Sequence, residues 1–179
     1  MTLDAAANPS HAGFGTNPAL TAALAIAGVA AATLAGAWFF QLVLDIRPCP
    51  LCLEQRYAYY LALPLSLVIA FAAARAVSRQ ILLAGFAVLL LAALANAWLG
   101  GYHAGVEWKF WEGPTDCSGP VVDLGSAGTL LQRLDTVKVI RCDEVQWRFL
   151  GLSLAGYNVL ISLLMAAIAA WGAVSAKRA

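Results

Sequence analysis

The stretch "DIRPCPLCLEQR", residues 45–56, sets two thiols, Cys49 and Cys52, three positions apart and a guanidinium, Arg56, four positions after the second. Thiols at that spacing make and break a disulfide locally, and the thiolate is the reacting species. Pro48 and Pro50 favour a helix start, where a missing N–H costs little. The motif therefore opens a helix with its sulfurs at the positive end of the dipole, a place that stabilises thiolate. Residues four apart share a helix face, so Arg56 lies one turn beyond Cys52, where a cation again favours the ionised thiol. Arg56 also has a plainer reading, as an interfacial arginine carrying its charge to lipid headgroups. Two further cysteines, Cys117 and Cys142, stand far along the chain, and "YHAGVEWKFW" brings His103 and Glu107 between the pairs.

The elements that must hold these groups follow from composition. Of 179 residues, 61% are hydrophobic and 12% charged, against about 45–50% and 25% in soluble domains, so a water-soluble globule would lack a polar surface. Four apolar stretches, about 19–44, 57–74, 81–102 and 149–174, approach the roughly 20 residues that a helix needs to cross a bilayer core. Backbone groups in lipid must be satisfied within the segment, so these are helices. The expected fold is an all-α membrane protein, a four-transmembrane-helix bundle forming a single membrane domain, with loops at about 45–56 and 103–148 and a polar tail at 1–18. "AAATLAGA" contains small residues of the signal-cleavage kind, but the first run is too long and no Lys or Arg precedes it, so it reads as a retained span.

Orientation comes from the cysteines. An even number of spans leaves both termini on one side, and the short loops tie in positive charge, Arg47 and Arg56 against Arg75 and Arg79. The long loop adds Lys109, Arg133, Lys138, Arg141 and Arg148, which argues weakly for the opposite orientation. All four cysteines fall in the 45–56 and 103–148 loops, on one face of a four-span chain. Disulfides persist in oxidising compartments such as the bacterial periplasm. That face is therefore expected outside the cytoplasm, with both termini and the Arg75/Arg79 loop inside.

Other chemistry finds less support. A net charge of +1 without a basic block gives no nucleic-acid partner, and no Gly-rich phosphate loop or H-E-x-x-H motif appears. A zinc site from Cys49, Cys52, His103 and one loop cysteine is stereochemically conceivable, since CxxC is a half-site. The second pair is widely spaced, however, and no metal is expected. A non-enzymatic membrane scaffold stapled by two structural disulfides is the alternative from another class. A dithiol at the bilayer surface passes electrons out only to a final acceptor, and in this setting that is a membrane quinone. In "SAGTLLQRLDTVKVI", Leu130, Leu134 and Val137 recur at helical spacing opposite Gln132, Arg133, Asp135 and Lys138. They predict a short amphipathic helix lying on the bilayer or against the bundle. Trp108, Trp111 and Trp147 read as an interfacial aromatic belt, and Gly28, Gly36, Gly85 and Gly156 as helix-packing contacts.

"CPLCLEQR" resembles the C-x-L-C-x-x-x-R signature of the DsbB family of bacterial inner-membrane proteins. The four-span layout, the second cysteine pair in the long loop and "CDEVQWRFLGLSLAGYN" leading into the last span are similar to it as well, over about residues 19 to 174. A DsbA–DsbB–quinone system keeps the bacterial periplasm oxidising. The resemblance implies a thiol:quinone oxidoreductase of the inner membrane that reoxidises a periplasmic DsbA-like, thioredoxin-fold partner and passes two electrons to ubiquinone or menaquinone from the membrane quinone pool. It implies that Cys49 and Cys52 form the quinone-proximal pair, Cys52 facing the quinone as thiolate and Arg56 steadying a ring oxygen. Cys117 is then the cysteine that the partner attacks and Cys142 its resolving mate, which in turn attacks Cys49. The vitamin K epoxide reductase group, with CxxC on a four-helix bundle, is a related alternative. Two departures stand out. The acid is Glu54, before Gln55, where some members carry an acid immediately before the arginine. His103 reads as an interfacial residue capping a helix end or, by its position, as a quinone-side histidine.

Overall fold

The computed structural model describes residues 17–114 and 141–178. Cys117, the amphipathic helix expected around Leu130 to Lys138 and most of the N-terminal tail lie outside them. Four helices make the bundle: α1 (Pro18–Leu42), α2 (Pro50–Ala74), α3 (Arg79–Glu107) and α4 (Leu154–Arg178). Each is long and apolar enough to cross a membrane. The fold is the expected all-α bundle, and the strands described are two short ones, β1 (Arg148–Phe149) and β2 (Leu152–Ser153), paired antiparallel just before α4.

The helix starts are written in local chemistry. Asn17 caps α1, its side-chain oxygen accepting from the backbone N–H of Ala19 and Leu20 at 3.1 and 3.3 Å, with Pro18 in the first turn. Its amide nitrogen donates to the Ala73 carbonyl at 3.1 Å, tying the start of α1 to the end of α2. Cys49 caps α2 in the same manner, accepting from the Cys52 backbone N–H at 3.2 Å on its sulfur.

The core is built largely from small residues, with Ala22, Ala23, Ala30 and Ala169 fully buried beside Ile26, Phe86 and Leu89. In lipid, apolar burial contributes little to helix association, and close backbone approach takes its place. At Gly100 a Cβ would come within 2.9 Å of Asn158 and 3.1 Å of Val159, so α3 and α4 approach there only because the side chain is absent. Tyr59 of α2, Asn96 of α3, and Asn158 and Ser162 of α4 close a buried polar network, with Tyr59 donating to the Asn158 side-chain oxygen at 2.6 Å and Asn96 to Ser162 at 3.0 Å. Such bonds lock helix register, because an unpaired amide in hydrocarbon is costly.

Three expectations change. The third helix continues past 102 to Glu107, so His103 is a buried helical residue and no interfacial cap. The last helix begins at Leu154, because Leu150 and Gly151 adopt positive φ (48° and 83°) and turn the chain into the β1–β2 hairpin. Of the four glycines read as packing contacts, Gly85 meets Ile69, a Cβ there coming within 2.8 Å of it. Gly28 and Gly36 meet nothing within 4 Å, and Gly156 meets only Leu152 and Ser153 of its own segment.

Candidate functional site

The ends of α1, α2 and α3 and the segment entering α4 surround a cavity of about 490 Å³. Cys49 is 2% exposed and sits at the helix cap; Cys52, one turn in, is half-buried on the cavity wall. Both are free thiols. The Cys49 thiol is pushed well up by its hydrogen bond with the Cys52 side chain and then by burial, so the proton of the pair is kept on Cys49.

His103 comes from α3 and stands behind Cys49, its Nε2 3.6 Å from the Cys49 sulfur. Its Nδ1 lies 2.8 Å from the Gln55 side-chain nitrogen. An amide nitrogen only donates, so Nδ1 accepts and the neutral ring carries its hydrogen on Nε2, the side that meets the Cys49 sulfur and the Cys142 backbone. Glu107, one helical turn on, brings Oε1 to 4.0 Å from that Nε2 with its side chain 5% exposed. The other carboxylate oxygen accepts a hydrogen bond from Ser153 of β2. Gln55, buried, thus occupies the place where an acid was sought, while Glu54 is exposed and turned away.

Arg56 projects from α2 towards the end of α1. Nη1 donates to the Gln41 side-chain oxygen at 2.7 Å, Nη2 to the Ala37 carbonyl at 3.4 Å, and the guanidinium lies 5.6 Å from the Trp38 ring centroid. Three groups of a neighbouring helix thus hold the guanidinium against α1. The Ala37 carbonyl belongs to the last turns of α1, the negative end of its dipole, which favours a cation. Arg56 lines the same cavity as Cys52.

The far wall is aromatic. Phe40 packs edge-on to Trp147 with centroids 5.0 Å apart, Trp147 stacks on Phe149 at 5.9 Å, and the Tyr157 hydroxyl donates to the Phe149 carbonyl at 3.0 Å. Trp147, read from sequence as a belt residue, is therefore part of the site, whereas Trp108 and Trp111 are exposed at the end of α3. Cys142 is disulfide-bonded and 1% exposed, and it shares a small apolar cluster with Cys49, Leu51 and Val106. Its loop is clamped by Asp143, which accepts from Arg141 at 2.9 Å and from Lys109. The Arg141 hydrogen bond, then the Lys109 one, hold the Asp143 carboxyl at a pKa of about 2.

Of the six residues singled out, Cys49, Cys52, Arg56, His103 and Cys142 are thus brought to one end of the bundle, and Cys117 is outside the described residues. Gln41, Gln55, Asn158 and Ser153 were missed. The signal for Gln41 and Asn158 was present, as amides standing alone within apolar helices, where each needs a buried partner; Gln55, between Glu54 and Arg56, carried no such mark.

The family model "Disulfide bond formation protein DsbB" matches residues 19–172, from the first helix almost to the end of the last. The chain belongs to the DsbB family. Disulfide bond formation protein B of Aromatoleum aromaticum is 31% identical over 164 residues, 87% of this chain and 92% of the relative. The protein of the same description from Marinobacter nauticus is 32% identical over 149 residues, 76% and 82% of the two chains. That of an Azoarcus species is 28% identical over 162 residues, 83% and 88%. DsbB membership, with four helices able to span a membrane, makes this a multi-pass protein of the bacterial inner membrane.

Proposed function

We propose that this protein is a membrane thiol:quinone oxidoreductase that reoxidises a periplasmic DsbA-like dithiol protein and so sustains disulfide formation. The observation that carries the reading is one cavity holding a free dithiol, a fixed arginine and an aromatic wall. Its volume of about 490 Å³ lies within the roughly 300–1,000 Å³ of small-ligand sites, which are mainly apolar with a few placed polar groups. The residues fit a quinone headgroup: aromatic and aliphatic walls from Phe40, Trp147 and Ile161, with Arg56 as donor to a ring oxygen. A bound quinone supplies a two-electron acceptor.

The chain's own part is thiol chemistry. Cys52 presents its sulfur to the cavity while Cys49 keeps its proton. Formation of the Cys49–Cys52 disulfide breaks the Cys49 S–H bond and gives up two electrons, and the Cys49 proton leaves beside His103 and Glu107. A Cys142 thiolate, set free when the partner attacks Cys117, then attacks the Cys49 sulfur and expels Cys52 as thiolate, and the partner's second thiol displaces Cys117 as thiolate, so that the partner leaves as a disulfide and Cys117 can attack Cys142 and release Cys49. The burial of Cys142 in one cluster with Cys49 supports that transfer, since the two sulfurs need only local motion to meet. Closure of the Cys117–Cys142 disulfide returns Cys49 and Cys52 to the dithiol. On this reading the cysteine loops are periplasmic and both termini cytoplasmic.

The test is turnover. Purified protein given a reduced thioredoxin-fold dithiol oxidase and ubiquinone or menaquinone should oxidise the partner catalytically. Cys117→Ser should abolish this while Cys49 and Cys52 still react with quinone. Absence of quinone-dependent oxidation by the wild-type chain would favour the stapled scaffold; normal partner oxidation by Cys117→Ser would move the attacked cysteine elsewhere.

A further inference from the structure

We infer that the reduced site is also a binding site for a thiophilic d¹⁰ divalent cation, zinc or cadmium, held by Cys49, Cys52 and His103 with Glu107 beside them. The three donor atoms Cys49 Sγ, Cys52 Sγ and a His103 ring nitrogen all lie within 4.8 Å of one another. In tetrahedral zinc, bonds of about 2.3 Å to sulfur and about 2.05 Å to nitrogen set the S···N edge near 3.6 Å. The Cys49 Sγ to His103 Nε2 distance is 3.6 Å.

The surroundings supply what a lone dithiol lacks. Metal-bound histidine is ordinarily held through its second ring nitrogen, and a metal-bound carboxylate through its spare oxygen. His103 Nδ1 already has Gln55 at 2.8 Å, and the amide need only turn over to accept from an Nδ1–H once Nε2 gives its hydrogen up to the metal. Glu107 already has one oxygen taken by Ser153 and the other 4.0 Å from Nε2, about 0.6 Å beyond the roughly 3.4 Å N···O edge of tetrahedral zinc. The Cys52 backbone N–H on the Cys49 sulfur at 3.2 Å stabilises that sulfur as a thiolate ligand. Two thiolates and a carboxylate against one dication leave a single negative charge, and the Arg56 cation lines the same cavity.

Binding is linked to redox state without electron transfer. The cation replaces the thiol protons, which are released, and both sulfurs stay at the thiolate level. The Cys49–Cys52 disulfide has no thiolate to offer and excludes the metal. On the reading of the site proposed above, a bound cation holds the protein in its reduced form and stops turnover until it leaves.

The experiment needs neither partner nor acceptor, so its failure is separate from failure of the oxidoreductase reading. The full chain carrying Cys117→Ser and Cys142→Ser, so that Cys49 and Cys52 are its only thiols, is reduced in lipid nanodiscs with a phosphine, freed of reductant, and titrated with Cd²⁺ alone, reading the ultraviolet thiolate-to-cadmium charge-transfer band. One equivalent should saturate the band, zinc should displace it, and protein with the Cys49–Cys52 disulfide should show none. Cys49→Ser should lose the band. Gln55→Ala should weaken binding roughly tenfold, within the range for outer partners of a metal ligand, and His103→Ala by more. Circular dichroism confirms that each variant keeps its helices. No band in that reduced protein, a band that survives Cys49→Ser in it, or equal affinity in its folded His103→Ala variant would each overturn the site.

Discussion

Arg56 is a site residue whose partners lie on a different helix from its own. Its guanidinium spans two acceptors of α1, the Gln41 side chain at 2.7 Å and the Ala37 carbonyl at 3.4 Å, over the Trp38 ring. Hydrogen bonds to a charged group contribute about 1.5–3 kcal/mol, and each 1.4 kcal/mol is about a factor of ten. Arg56→Lys keeps the charge but loses the planar fork, so one such interaction is lost. The lysine head also wanders from the position that faces the cavity. The apparent KM for quinone should then rise about tenfold, the lower end of that range. Arg56→Met removes the charge as well and should raise it roughly 100-fold, towards the upper end. Gln41→Leu, which removes only the shorter anchor, should fall below both. The assay is steady-state quinone reduction with a saturating reduced partner, alongside single-turnover exchange between partner and the Cys117/Cys142 pair, which should be unaffected. A wild-type quinone KM in Arg56→Met would refute the reasoning and return Arg56 to a headgroup contact.

Topology is tested by an impermeant thiol reagent applied to intact, reduced cells, which should label the loop cysteines and spare a cysteine introduced by Ser78→Cys; the reverse pattern would invert the orientation. Asp143 carries a pH dependence: its folded pKa of about 2 is depressed from the model-compound 3.8, so its clamp on the Cys142 loop is fully present above the unfolded value and is lost as pH falls through the folded one. Hydrogen-exchange protection factors, corrected for the intrinsic rate at each pH, should therefore stay high in residues 141–147 at pH 5 and fall near pH 2, and Asp143→Asn should show the low protection already at pH 5. Gly100→Ala should destabilise the bundle by about 1–3 kcal/mol, the usual cost of overpacking, because its Cβ would meet Asn158 and Val159; a thermal unfolding midpoint unchanged from wild type would show that the α3–α4 contact yields freely.

The sequence alone determined the four helices and the chemistry at their ends. Length and hydropathy suffice for spans because lipid leaves the backbone no partner but itself. "PCPLC" announces a helix start because proline and a capping side chain act over a single turn. The family is legible for the same reason, its signature being contiguous in "CPLCLEQR". Helix ends were less so: Leu150 and Gly151 delay α4 through a turn set by positive φ, and α3 runs on to Glu107 because His103 and Glu107 find buried partners on other segments.

What serves each functional group was decided only by tertiary structure. His103 and Gln55 are far apart in the chain and meet on one ring nitrogen; Arg56 finds Gln41 and a backbone carbonyl of α1. Those pairings depend on how α1, α2 and α3 are rotated about their axes. The rotation is set by small-residue contacts and buried amides such as Asn96 and Asn158, which compete over fractions of an ångström. Hydropathy is nearly uniform around each apolar helix, so it carries no mark of which face turns inward.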